Sequence, residues 1–528
     1  MSKILVFFSF FWLILLFFFT PHYIELTGVL ETWFPYKGLI YYKEFAAYHF
    51  PLGRLILLPV HILSNWNLEL DPFLGLFFGL GTLILIYLFG KRYLSPWGTA
   101  ISLTFFSGFF WFAANGIIFF HEILIGFLLM LTIYFLFNAY RPKNFSNKTV
   151  VRLGLLISIT ELTGQIVTIT LGVITLASVL LITKTFKQKL LSNIYFLAGL
   201  IFPFLITIIY FSYNKALYEF FRYNVTYYFL YANYKKDSLL DLPFESLSLF
   251  YLPAVLLFLV LITYLIKGLR NKIYKPTYIL ISTLTISTIP FILFSVYHPH
   301  HLNYALPVLS IAFGFSLDLS RRLGRIGKVL AFSGIIIFLI MFLIFILPWH
   351  LSRVVYPPNF RIVNDLIGDS RYSVYNLSEL ISQKVSQIIL PPELAPTIQY
   401  PSIDISQGYN IYNESNPIYS TVEWLTNNTS PADKIMVMGD PIIYLRSNRL
   451  PASRPSKSIP YGWEPTLIKN EIENNRADYW IVDQDFTKKL IQVYQRKDMV
   501  DFLNTELEYC YKKEVVYTNW EIWKKVCE

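Results

Sequence analysis

Long apolar runs alternate with short polar connectors over roughly the first two thirds of the chain. The first, 4–19, follows Met1-Ser2-Lys3 and is followed by Thr20-Pro21-His22 with no small-residue cleavage site. It reads as an uncleaved transmembrane helix with its N-terminus in the cytoplasm. Further runs lie near 72–90, 96–114, 122–140, 152–168, 168–184, 190–213, 247–266, 277–297, 302–319 and 329–349. Each approaches the roughly 20 residues that cross a hydrocarbon core. The pattern predicts about eleven spans and an α-helical polytopic membrane domain over 1–350. The apolar stretch 51–64 is too short to span and reads as a re-entrant or interfacial helix on the outer face.

Beyond residue 350 the pattern changes. No apolar run reaches membrane length, and Pro, Ser and Asn are common up to about 416. One helix is expected near 377–390. Helices near 417–427, 465–475 and 486–505 then alternate with strands near 434–439 and 479–482, which predicts a small α/β domain over 351–528. The end reads as a hairpin of 509–517 and 520–526 turning at Thr518-Asn519. A two-residue turn puts Cys510 opposite Cys527, the only two cysteines, at a pair where side chains approach closely. A disulfide is expected if that register holds in an oxidising compartment; two unpaired thiols are the alternative.

Composition excludes two classes. Of 528 residues, 55% are hydrophobic and 15% charged, against about 25% charged in soluble domains. A mainly soluble enzyme and a disordered chain are both ruled out. The net charge of +10 resolves once the spans are drawn. Alternate loops starting from a cytoplasmic N-terminus hold eighteen Lys and Arg, and the outer loops before residue 350 hold seven. This obeys the positive-inside rule, places the C-terminal domain outside the cytoplasm, and excludes nucleic acid as a partner.

The acids point the other way. Of twelve before residue 350, only Asp318 lies at a cytoplasmic loop; the rest face out or sit near the outer half of the membrane. Chemistry is therefore expected on the outer side, since ionisable groups at membrane depth are costly and often functional. The first outer loop is the densest region, with Glu25, Glu31, Glu44, His49 and Arg54 among Tyr, Trp and Phe. A carboxylate there can act as a general base. The same residues would equally form an aromatic belt with solvated acids. In the second outer loop, Glu122 follows His121 at the start of an apolar helix, where it suits a metal or phosphate site or simply the helix dipole. Tyr297-His298-Pro299-His300-His301, followed by Asn303-Tyr304, could hold a lipid phosphate, a metal or only a turn. Glu161 reads as paired or cavity-facing. No phosphate loop, dinucleotide fingerprint or inverted repeat is evident.

Taken together, these residues resemble the polytopic GT-C glycosyltransferases, in the branch of protein O-mannosyltransferases and aminoarabinose transferases. The likeness rests on Glu25, on Gly38-Leu39-Ile40-Tyr41-Tyr42-Lys43-Glu44, on Phe50-Pro51-Leu52, on Glu122 and on His301 to Pro307. Thr421 to Gly439, Ile443 to Ser447 and Pro451 to Arg454 are similar to the C-terminal part of such enzymes. The first acid departs from the usual Asp, so Glu25 and Glu31 compete for its role. The family's late Arg is replaced by histidines. The resemblance implies transfer of a monosaccharide from a polyprenyl-phosphate donor to an acceptor hydroxyl of a lipid, glycan or protein at the outer face of the bilayer. Glu25, Glu31, Glu44 and Glu122 are the catalytic candidates. Arg54, His49, Arg222, His298, His300, His301 and Tyr304 are the phosphate or substrate candidates. No cofactor is certain; a divalent metal at His121 and Glu122 is an option. The alternatives are a flippase of lipid-linked sugars or a cell-surface polysaccharide polymerase or ligase.

Overall fold

The computed structural model describes residues 2–19, 23–24, 26–47, 50–66, 70–113, 117–118, 120–139, 146–164, 185–226, 302–320, 417–454, 465–492 and 497–527, with isolated positions between 324 and 336. The chain divides into two compact units. One comprises 1–24, 67–206 and 235–405; the other comprises 25–66, 207–234 and 406–528.

The first unit is helical. Ser2–Phe19, Asp71–Tyr93, Pro96–Ala113, Phe120–Ala139, Asn147–Thr163 and Leu302–Ser320 coincide with expected spans, and Phe186–Tyr213 begins in this unit and runs on into the second. Three described helices, Phe73–Tyr93, Glu122–Ala139 and Phe186–Tyr213, are long and apolar enough to cross a membrane. The expected spans at 168–184, 247–266 and 277–297, and most of 329–349, lie outside the described residues.

Glycines set two of the crossings. A Cβ on Gly314 would lie 2.1 Å from the Gly98 carbonyl oxygen, so Pro96–Ala113 and Leu302–Ser320 meet backbone to backbone. Gly154 and Gly199 do the same for Asn147–Thr163 and Phe186–Tyr213, each leaving a Cβ 2.3 Å from a facing carbonyl. Small residues allow this approach where van der Waals packing drives association. The hydroxyls turn back on their own helices: Thr82 to Phe78 O at 2.8 Å, Thr132 to Leu128 O at 2.8 Å and Ser310 to Leu306 O at 2.6 Å. Asp318 accepts from the Ser95 amide at 2.6 Å and from its hydroxyl, while Ser95 Oγ accepts from Gly98 N at 3.1 Å. Asp318 thus secures the start of a neighbouring helix. Two short strands, β1 (Tyr23–Ile24) and β2 (Ile117–Ile118), pair in parallel with Tyr23 opposite Ile117.

The second unit is built on a five-stranded mixed sheet. Its strands are β3 (Lys434–Met438), β4 (Leu450–Pro451), β5 (Tyr479–Asp483), β6 (Tyr511–Tyr517) and β7 (Trp520–Lys525), in spatial order β4-β3-β5-β7-β6. β3 is parallel to β4 and β5, and β7 is antiparallel to β5 and β6. Residues 435–438 and 479–482 are buried throughout, as strands covered on both faces should be. Met436, Met438, Trp480 and Val482 face a core shared with Ile468, Ile472, Met499 and Leu503. On the other face Trp424 packs on Tyr479, and the Tyr444 hydroxyl accepts from Val437 N at 2.9 Å.

The structure differs from the expectation in four places. The expected helix 486–505 is two helices, Gln484–Gln492 and Lys497–Cys510. Ile442–Ser447 and β4 were too short for periodicity to reveal. The stretch 51–64 holds two short helices, Leu52–Leu55 and Leu58–Leu63, because Pro59 in the first turn of the second has no amide to continue the first. The hairpin turns at 518–519 as expected, but β6 starts at Tyr511 and its register slips at a bulge between Lys513 and Val515. Cys510 therefore ends a helix instead of sitting in the ladder. It still bonds to Cys527, with Cα atoms 4.8 Å apart, and its carbonyl accepts from Val526 N at 2.9 Å.

Candidate active site

The first outer loop folds within the unit that holds the sheet. Its Leu26–Tyr36 helix packs on Ile442–Ser447, with the Phe34 and Tyr444 ring centroids 5.7 Å apart. The loop has a polar interior. Glu31 and Arg54 are each 2% exposed, and Arg54 Nε donates to Glu31 Oε2 at 3.3 Å. Gly28 makes room for the guanidinium: a Cβ there would lie 2.2 Å from Nη1. The Tyr41 hydroxyl donates to the Glu31 carbonyl, and Thr32 Oγ1 donates to Gly28 O at 3.1 Å and Arg54 O at 3.3 Å. Two of the candidates are thus each other's partner. A buried pair of this kind tolerates neither member alone.

Glu44 is exposed and accepts from Ile40 N at 2.6 Å, closing the turn that carries Tyr41 and Tyr42. Tyr42 has φ +65°, a conformation rare for a bulky residue. Its ring is buried against Phe211, Phe220 and Tyr223, and its hydroxyl lies 3.4 Å from Asn224 Oδ1. Burial pushes the phenols of Tyr41 and Tyr42 well above their ordinary range, so both stay protonated. Arg222 opens a π-helical turn, Arg222–Thr226, and is partly exposed. Turns of this type recur at functional sites.

One tie was not foreseen from sequence. Ala46 N donates to the Arg454 carbonyl at 2.9 Å, while the Arg454 guanidinium pairs with Glu471 and lies 3.9 Å from Glu219. Arg454 therefore joins the first outer loop, the 217–221 helix and the sheet domain. Its stretch, Pro451 to Arg454, was singled out by resemblance, but its pairing could not be read from the sequence because its partners are distant in the chain.

In the helical unit Glu122 sits in the first turn of Phe120–Ala139 and is 2% exposed. That position favours a carboxylate through the helix dipole. β2 ends just before this helix, and β1 ends at Ile24, immediately before Glu25 in the chain. The ladder therefore sets Tyr23 and Ile24 beside the short strand that precedes the Glu122 helix. Glu161 is buried in Asn147–Thr163, and Tyr304 is buried in Leu302–Ser320. Glu25, His49, His298, His300, His301 and the His121 side chain lie outside the described residues. Among the described residues, no group of three or more His, Cys, Asp or Glu is arranged to hold a metal ion.

No protein-family model and no curated protein matches the sequence. Solved structures do match. ArnT from Cupriavidus metallidurans bound to undecaprenyl phosphate superposes with TM-score 0.52 and 11% identity, over 99% of this chain and 98% of that one. ArnT in the apo state gives TM-score 0.52 and 12% identity over 98% and 97% of the two chains. The chain shares the fold of those two structures. The oligosaccharyltransferase AglB from Archaeoglobus fulgidus, in complex with an inhibitory peptide and a dolichol-phosphate, matches at TM-score 0.45 and 11% identity over 99% and 74%. That shared fold and three described helices long and apolar enough to cross a membrane support a helical multi-pass membrane protein, with a small sheet toward the C-terminus.

Proposed function

We propose that the chain is a membrane glycosyltransferase that moves a monosaccharide from a polyprenyl-phosphate carrier to an acceptor hydroxyl at the outer membrane face. The observation that carries this is the likeness in fold, over nearly the whole chain, to ArnT bound to undecaprenyl phosphate. The asymmetry of charge supports the topology: cytoplasmic N-terminus, residues 1–350 as the membrane catalytic domain, and 351–528 as the extracytoplasmic domain. An outer-face enzyme meets no nucleotide sugars, so a lipid-carried donor suits it.

In the proposed reaction the acceptor oxygen attacks the anomeric carbon. The new glycosidic bond forms as the anomeric carbon to phosphate-oxygen bond breaks, and polyprenyl phosphate leaves. Glu25 takes the acceptor proton. Glu122, buried at its helix start, orients the acceptor; with His121 it would also hold a divalent cation, which would supply charge stabilisation when bound. Arg222, His49, His298, His300, His301 and Tyr304 are proposed to cradle the leaving phosphate, where fixed donors stabilise developing charge. Glu31 and Arg54 neutralise each other and hold the loop. Glu44 closes the turn beside them.

Purified protein given polyprenyl-phosphate sugars is expected to release polyprenyl phosphate in the presence of acceptor. Glu25→Gln is expected to cut release by roughly 10²–10⁴ while leaving thermal unfolding unchanged. Absence of release with every donor would transfer the assignment to a flippase. Full activity of Glu25→Gln would move the base to Glu31 or Glu44.

A further inference from the structure

We propose that Asn303 binds a hydroxyl of the donor sugar, an assignment that rests on the glycosyltransferase reading above. Asn303 lies in the first turn of Leu302–Ser320 and is 3% exposed. Its Oδ1 and its Nδ2 are both buried, and neither has a hydrogen-bond partner. Over 90% of buried polar groups are paired, and an amide left with neither bond made costs folding free energy. Other polar side chains of the same helix avoid that cost: Ser310 and Ser316 donate to the carbonyls of Leu306 and Ala312. Asn303 alone among these three keeps a donor and an acceptor unspent.

Its place in the bundle says what the amide is for. A Cβ on Gly126 would lie 2.9 Å from the Asn303 carbonyl oxygen and 3.8 Å from Pro307. Gly126 is four residues beyond Glu122 on Phe120–Ala139, so the two share a helix face. The tight crossing at Gly126 thus sets Asn303 about one turn along Phe120–Ala139 from Glu122. The chemistry then selects the ligand. A carboxamide offers one acceptor and two donor hydrogens side by side, and a sugar hydroxyl both gives and takes a hydrogen bond. A phosphate oxygen only accepts, so it would leave the amide oxygen unpaired. The ligand is therefore the sugar of the carrier lipid, and its hydroxyl satisfies the amide on binding.

The test uses the full chain in detergent. Asn303→Leu keeps the size of the side chain and removes both polar atoms. Thermal unfolding is followed together with transfer kinetics, using whichever of polyprenyl-phosphate mannose, glucose or arabinose the wild type turns over. Binding of that donor is compared with binding of bare polyprenyl phosphate. The expected result has opposite signs: the unfolding temperature holds or rises, while KM for the donor rises about tenfold and affinity for the bare carrier is unchanged. Unaltered donor KM, or an equal loss for both lipids, would overturn the assignment. If Asn303→Leu does not fold, Asn303→Ala serves, with the same donor-specific loss expected and an unchanged KM overturning the proposal. A wild type that turns over no donor would instead sink the glycosyltransferase reading, so the two failures are distinguishable.

Discussion

In the helical unit the hydroxyls of Thr82, Thr132, Ser310 and Ser316 bond to carbonyls one turn back in their own helices, and glycines bring neighbouring backbones together. In the sheet-bearing unit hydroxyls such as Thr421 and Ser447 also bond back one turn, but charged side chains reach across as well. Arg54 meets Glu31, Arg454 meets Glu471 and Glu219, Arg476 donates to Glu506 at 2.7 Å, and Arg449 donates to the Thr429 carbonyl at 2.8 Å and the Leu425 carbonyl at 3.3 Å, closing the end of Pro417–Asn428. The difference follows from the surroundings. Where apolar side chains and lipid leave no water, a hydroxyl is cheapest when its own helix satisfies it. Where water borders the fold, charged side chains can stitch segments that are distant in sequence, and a disulfide can staple the chain end.

Four tests would break or sharpen this contrast. The largest effect is expected in the first outer loop. Arg54→Met strands the buried Glu31 charge and should cost about 3–5 kcal/mol in thermal unfolding. The double variant Arg54→Met with Glu31→Met should recover most of that loss. If the single and double variants lose equally, the pair is not the clamp.

Next comes the staple. Cys510→Ser, or reduction of the wild type, opens a link of sequence separation 17 and should lower stability by about 3 kcal/mol. Calorimetry should show that loss in the transition of the sheet-bearing unit, with the helical unit unmoved. Gly314→Ala should do the reverse. Its methyl would meet the Gly98 carbonyl, and overpacking of about 1–3 kcal/mol should appear in the helical unit only.

The smallest effect is a pH dependence. Asp440 follows β3 and its amide neighbour Ile442 donates to its Oδ1 at 2.9 Å. Burial pushes its carboxyl up to about 6, and Asp483 at the end of β5 adds to the rise, against the Ile442 hydrogen bond. The folded state then binds the proton more tightly than the unfolded chain does. Stability should fall as pH rises from about 4 through about 6. Asp440→Asn keeps the acceptor for Ile442 and should remove that fall. Because Asp440 is partly exposed, the gain at pH 8 should be under about 1 kcal/mol. An unchanged slope of unfolding temperature against pH would exclude Asp440 as its source.

Much of the fold was legible because its signals are local. Apolar runs marked seven of the described helices, since length and hydrophobicity alone decide what can cross a bilayer. Alternation marked β3 and β5, and the Thr518-Asn519 turn marked the hairpin. Glu122 was legible as an acid at a helix start. The two-residue β1–β2 ladder was not, because two residues carry no period. Arg54 and Glu31 were singled out from the sequence as separate candidates for phosphate and proton, and only their burial beside Gly28 showed them to be partners. Asn303 stood in the sequence beside the histidine cluster, and only its buried amide without a hydrogen-bond partner set it apart.

The sequence by itself determined the long apolar helices, the concentration of basic residues in alternate connectors and the alternation of helices and strands toward the C-terminus. Each depends on composition and period within a short window. Only the tertiary structure decided that Ala46 rests on Arg454, that Cys510 ends a helix yet still reaches Cys527, and that Gly126 packs against the Asn303 backbone. Those facts depend on where distant segments meet, and no window of the chain holds both partners.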